Sequence, residues 1–159
     1  MGRDISVKIL QKNDDKSYRE IAPYAYNPET NEFEDVSFRM AYCRRDYDLF
    51  DVLGNNDQPY SCRGIFEDAP KEVVEYFSNY DSFYGVTYFD WCELIMFAQT
   101  PLATVFEDID YEYIDKDPKD YPRRNVVQPW VDSLRIVLDM YEIYWPQPGE
   151  IIVQIGFSC

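Results

Sequence analysis

The period of the apolar residues changes twice along this chain, and that order limits the folds open to it. Ile5, Val7 and Ile9 alternate with polar neighbours, the two-residue period of a strand with one buried face. After the polar turn Asn13-Asp14-Asp15-Lys16, a run from Tyr18 to Tyr26 resumes extended character, so the chain opens as a hairpin. The loop Asn27-Pro28-Glu29-Thr30-Asn31 leads to a further extended segment around Phe38, Met40 and Tyr42. The spacing then becomes helical. Asp46 caps a short helix carrying Tyr47, Leu49, Phe50 and Leu53, which Gly54 ends. Asp68 before Ala69-Pro70 starts a second, with Val73, Val74 and Phe77 on one face, ending near Ser78. Asp90 and Glu93 form a capping-box start for a third, with Trp91, Leu94, Ile95 and Ala98 apolar, stopping before Pro101.

From Val105 to Asp115 the two-residue period returns, with Val105, Ile109, Tyr111 and Tyr113 on one parity and Asp108, Asp110 and Glu112 on the other, an acidic-faced strand spoiled once by Glu107. A charged loop through Pro118 and Pro122 follows. Val127, Trp130, Val131, Leu134, Leu138 and Tyr141 then keep helical spacing, with Pro129 tolerated in the first turn. Trp145-Pro146-Gln147-Pro148-Gly149 breaks that helix, and Glu150 to Phe157 reads as a closing buried strand. The expected architecture is a single α+β domain over 1–159, an antiparallel sheet with helices packed mainly on one face.

Composition bears on function through charge. The 159 residues hold 30 Asp and Glu against 15 Lys and Arg, with no histidine, for a net charge of −15. Because 46% of the residues are hydrophobic and 18% aromatic, this acidity belongs to a folded surface and not to a disordered tail. Such a surface disfavours direct contact with nucleic acid or anionic membrane and favours a basic protein partner. No run of apolar residues is long enough for a signal peptide or a membrane span, and the expected location is the cytoplasm. Gly2 and Ser6 meet the sparse myristoylation pattern, but the alternation of Ile5, Val7 and Ile9 argues for a strand there. Cys43, Cys62, Cys92 and Cys159 are scattered without a CxxC pair and read as reduced thiols, not as a zinc site. No cofactor is implied.

The densest charge block runs from Glu107 to Asp120: Glu107, Asp108, Asp110, Glu112, Asp115, Asp117 and Asp120 against Lys116 and Lys119. With Tyr111 and Tyr113 it forms a candidate partner-binding ribbon that imitates nucleic acid. Same-face residues on a strand lie about 7 Å apart, whereas one DNA strand carries a phosphate about every 3.4 Å. A mimic therefore needs a second acidic element, such as Glu67-Asp68 or Glu72-Glu75; the plain alternative is a solvated strand face. A competing use is a Mg²⁺-dependent enzyme on nucleotides or nucleic acid, built on Asp108 and Asp110 or on Asp46 and Asp48. The absence of histidine removes the commonest general base, the Ser-His-Asp triad and the usual partner of a cysteine nucleophile. Arg39, Arg44, Arg45, Arg63, Arg123 and Arg124 are expected to make internal ion pairs that orient loops, with pairing to a second copy in a homodimer as the alternative.

The opening Met1-Gly2-Arg3-Asp4-Ile5, the stretches Arg45-Asp46-Tyr47-Asp48-Leu49-Phe50 and Arg63-Gly64-Ile65-Phe66-Glu67-Asp68, the segment from Gly85 to Leu94 and the apolar strand Glu150 to Phe157 together resemble a family of small phage and prophage proteins. Members often carry histidine where this chain has Ser6 and Asp81-Ser82-Phe83, so any chemistry those histidines perform is lost here. The resemblance brings no established activity. It implies phage origin and, by analogy with small acidic phage proteins outside the virion, inhibition of a host nucleic-acid-binding defence complex of the anti-CRISPR or anti-restriction kind. The partner would be a basic host protein or nucleoprotein in the infected bacterial cell. A phage structural or assembly role is the further alternative.

Overall fold

The computed structural model describes residues 2–55, 58–78, 83–107 and 117–158. Its main sheet has four antiparallel strands in the order β2-β1-β8-β5: β1 (Asp4–Lys12), β2 (Tyr18–Ile21), β5 (Tyr84–Asp90) and β8 (Ile151–Ser158). Two small ribbons stand apart from it, β3 (Tyr24–Asn27) with β4 (Glu32–Asp35), and β6 (Thr104–Phe106) with β7 (Arg123–Asn125). Four helices complete the α+β architecture among the described residues: α1 (Tyr47–Leu53), α2 (Lys71–Ser78), α3 (Trp91–Ala98) and α4 (Val127–Met140).

Strand β8 is central, pairing with β1 from Asp4↔Ser158 to Gln11↔Ile151 and with β5 from Tyr84↔Phe157 to Asp90↔Ile152. Both of its faces are covered. Ile151, Val153, Ile155 and Phe157 join Ile5, Val7, Ile9 and Phe89 in a large core beneath α1, α3 and α4. Ile152 and Leu10 point the other way, to Val73 and Phe77 of α2. The helices thus lie mainly on one face, with α2 alone on the second. A helix of eight residues is unstable in isolation. Burying Val73 and Phe77, about 2 kcal/mol each, holds it in place. Gly156 makes the approach possible, since a Cβ there would lie 3.0 Å from Phe77 Cε1.

The helix ends follow the sequence. Asp46 accepts from Leu49 N at 3.1 Å, and Asp90 with Glu93 completes a capping box. Several expectations change. The run from Tyr18 to Tyr26 is two strands, because Pro23 offers no donor to continue the ladder and the chain leaves the main sheet there. Phe38, Met40 and Tyr42 form no strand: Ser37–Arg39 and Ala41–Cys43 are successive 3₁₀ turns, and the backbone of Tyr42 is taken by side chains of α4. Ser133 Oγ accepts from Tyr42 N at 2.9 Å, and Trp130 Nε1 donates to Tyr42 O at 3.1 Å. On α2, Val74 is exposed. The strand expected from Val105 to Asp115 is Thr104–Phe106 among the described residues, since 108–116 lie outside them.

The one fully buried glutamine ties the second layer to the sheet. Gln154 Oε1 accepts from Phe66 N at 2.7 Å, while its Nε2 donates to Thr87 O at 2.8 Å and Gly64 O at 3.0 Å. The loop leading into α2 is thereby fastened to the central strand.

Candidate functional site

Of the expected ribbon, Glu107, Asp117 and Asp120 are described, and all three are exposed. They sit at the base of the segment, where Glu107 N donates to Pro122 O at 2.9 Å and β6 pairs with β7. Asp117 accepts from Lys119 N at 3.1 Å and its carboxylate lies 3.6 Å from Lys119 Nζ. Asp108, Asp110, Tyr111, Glu112, Tyr113 and Asp115 lie outside the described residues. The acidic elements expected to extend the ribbon are not beside its base. Glu67, Asp68, Glu72 and Glu75 belong to the α2 layer, whereas Ala103, Val105 and Val126 pack into the core on the opposite side of the sheet.

A second acidic surface does share the α4 side: the β3–β4 hairpin. Tyr24↔Asp35 and Tyr26↔Phe33 face each other across it, so Tyr24, Tyr26, Phe33 and Asp35 share one face while Glu32 and Glu34 lie on the other. Asn31 closes the turn with a φ of 59°, its N–H donating to Asn27 O at 2.8 Å and its side chain accepting from Tyr26 Oη. The rings of Tyr24 and Tyr26 each meet Phe33 edge-on at 5.6 Å, and Tyr24 meets Tyr141 at 5.9 Å. Phe33 is nevertheless 69% exposed, and Phe38 just beyond is 73% exposed. Among the described residues no basic side chain forms an ion pair with Glu29, Glu32, Glu34 or Asp35. The hairpin is rooted by Tyr141, whose hydroxyl donates to Ala22 O at 2.7 Å. It stands at the C-terminal end of α4 and the base of the acidic segment at the N-terminal end, about 21 Å away along a helix of 14 residues. The sequence reading missed this hairpin.

Three of the six arginines make the expected internal ion pairs, whereas among the described residues Arg39, Arg44 and Arg123 make none. Arg45 meets Asp4 at 2.6 Å, Arg63 meets Glu93 at 2.8 Å, and Arg124 pairs with Asp48. Arg44, Arg45 and Arg124 line a cleft of about 670 Å³ between α1 and the start of α4. Of the carboxylates considered for Mg²⁺, Asp46 caps α1 and Asp48 holds Arg124, while Asp108 and Asp110 lie outside the described residues. Among the described residues no three Asp, Glu, Cys or His side chains gather where they could hold a metal ion. Comparison with known protein families, with curated proteins and with solved structures gave no match. Among the described residues, too, no helix is long and apolar enough to cross a membrane.

Among the described residues no disulfide joins Cys43, Cys62 and Cys92. Burial pushes the Cys43 thiol up to about 11, with Asp35 adding to the shift. Since the thiolate is the nucleophile, Cys43 holds almost none of it at pH 8. Alkylation of the folded protein at pH 8, followed by peptide mass mapping, is expected to label exposed Cys62 first and Cys43 only on unfolding.

Proposed function

We propose that this protein is a non-catalytic, phage-encoded inhibitor that docks an acidic, aromatic surface on a basic host protein of a nucleic-acid-binding defence complex, of the anti-CRISPR or anti-restriction type. The observation that carries the reading is the β3–β4 hairpin, which holds Tyr24, Tyr26 and Phe33 open to solvent with Asp35 on one face and Glu32 and Glu34 on the other. Large exposed rings cost solubility, and tyrosine and other aromatics dominate binding hot spots. Carboxylates lacking internal cations are available to steer a basic partner and compete with its nucleic acid. The acidic segment from Glu107 to Asp120 supplies further charge, and its described residues Glu107, Asp117 and Asp120 lie toward the other end of α4.

The test is affinity capture from bacterial lysate at low and high salt. A basic nucleic-acid-binding complex should be retained at low salt and displaced by DNA or RNA, because exposed charges are screened beyond about 8 Å at physiological ionic strength. Tyr26→Ala with Phe33→Ala should weaken that capture about tenfold or more with an unchanged circular dichroism spectrum. Asp108→Asn, Asp110→Asn and Glu112→Gln together report on the segment. Absence of any partner at either salt would overturn the reading and turn attention to metal-dependent catalysis. Stable self-association in its place would point to assembly.

A further inference from the structure

A groove on the α2 side of the sheet, about 750 Å³ in volume, is floored by the rings of Tyr18, Phe66 and Tyr88 and rimmed by Met96 of α3. The rings of Tyr18 and Phe66 meet edge-on at 4.9 Å, and those of Phe66 and Tyr88 at 5.1 Å. At one end the protein has already placed a guanidinium. Arg63 lies 4.7 Å from the ring centre of Tyr60 and 5.2 Å from that of Tyr88, and donates to Glu93 at 2.8 Å and to Tyr88 O at 3.3 Å. The same wall thus supplies the aromatic faces and the acceptors that a planar cation needs.

The surrounding field has one sign. Asp90 and Glu93 line the groove, and Arg63, the cation among the lining residues, is neutralised by Glu93. The Tyr18 hydroxyl is pushed up first by burial and then by the carboxylates of Asp68 and Asp90, and the Cys92 thiol by burial and then by Asp90 and Glu150. Asp90 is fixed in place, Oδ1 accepting from Gly149 N at 2.7 Å and Oδ2 from Cys92 N at 3.0 Å. Met96, 69% exposed, adds a polarisable thioether at the rim.

We propose that this groove is a docking site for an arginine side chain presented by a basic partner protein, stacked on Phe66 and Tyr18 as Arg63 is stacked on Tyr60 and Tyr88. The inference rests on the partner reading above and names the side chain that the partner offers at a surface separate from the hairpin. Guanidinium is favoured over ammonium because its plane stacks on rings and its hydration is weaker.

The experiment is a titration of the full-length protein, followed by methyl and aromatic NMR, with a short Gly/Arg peptide and its Gly/Lys and Gly/citrulline counterparts. Saturable shifts at the Met96 methyl and at the Tyr18, Phe66 and Tyr88 rings are expected. The arginine peptide should bind about fivefold tighter than the lysine peptide, and the citrulline peptide should not bind. Phe66→Leu keeps the apolar volume and removes the ring, so it should abolish the preference for arginine while leaving remote resonances in place. Shifts confined to the β3–β4 hairpin, or equal binding of the arginine and lysine peptides, would overturn the proposal as general attraction to a net charge of −15. If lysate capture fails for the unmodified protein, the partner reading falls and the peptide titration still decides the groove. If capture succeeds and Phe66→Leu leaves it unchanged, the groove proposal falls alone.

Discussion

Gln154→Ala is expected to lower the free energy of unfolding by about 3 kcal/mol, measured by urea denaturation with fluorescence detection. The side chain is fully buried and serves one donor and two acceptors on two other segments. Truncation strands Phe66 N–H without its acceptor and opens a small cavity, and buried unsatisfied groups cost about 1–3 kcal/mol each. Gln154→Glu separates the polar contribution from the volume. A carboxylate can still accept from Phe66 N, but it faces the carbonyl oxygens of Gly64 and Thr87, so burial and these acceptors raise its pKa in the folded state. The folded state then binds more protons than the unfolded one. Stability of this variant should therefore be best in acid, below the unfolded carboxyl pKa, and fall as pH rises toward the folded value. A Gln154→Glu protein with unchanged stability between pH 4 and pH 8 would contradict the geometry.

Trp130→Ala should cost about 4 kcal/mol, in the range for large buried aromatics. Trp130 is 4% exposed in the main core, and its indole N–H satisfies the carbonyl of Tyr42. Ser133 satisfies the amide of the same residue, so two α4 side chains hold the whole peptide environment of Tyr42 where a strand partner would otherwise be needed. The loss should also reach the hairpin, because the strap from Val36 to Arg45 links β4 to α1 across α4. Trp130→Phe is the control: it keeps most of the packing, removes the donor, and should cost about 1–3 kcal/mol. Amide exchange in residues 36–45 is the readout that separates loosening of the strap from a uniform loss of stability.

These elements also show where the sequence was legible. Helices α3 and α4 announced themselves through a capping box and through apolar residues at a 3.6 period, since each buries one stripe against a single core. Strand β5 gave no such signal. Thr87 and Phe89 face one core while Val86 and Tyr88 face the other, so the alternation that marks a half-buried strand is absent, and Gly85 at a φ of 60° interrupts the pairing. The hairpin was hidden for the opposite reason. Glu32, Glu34 and Asp35 are poor strand formers, and every residue of β4 is exposed, so neither propensity nor burial marks it. Tyr24, Tyr26 and Phe33 look in sequence like core aromatics; only the escape of the chain at Pro23 leaves them in solvent. The acidity of Glu107, Asp117 and Asp120 was readable, but their distance from Glu67, Asp68, Glu72 and Glu75 across the sheet is set by β8, and no local pattern carries that.

The place of β8 in the sheet has a consequence for synthesis. Neither β1 nor β5 pairs with the other; each waits for a strand that follows both in the chain. While the ribosome is still upstream of residue 151, the nascent protein can form the β1–β2 hairpin and its helices, but the edges of β1 and β5 that β8 pairs with, and the core positions of Ile151, Val153, Ile155 and Phe157, stay open. Joining partners as remote in sequence as Asp4 and Ser158 makes the search slow. An unfinished chain with such open edges is exposed to aggregation and proteolysis, and mutual repulsion at a net charge of −15 opposes the first of these.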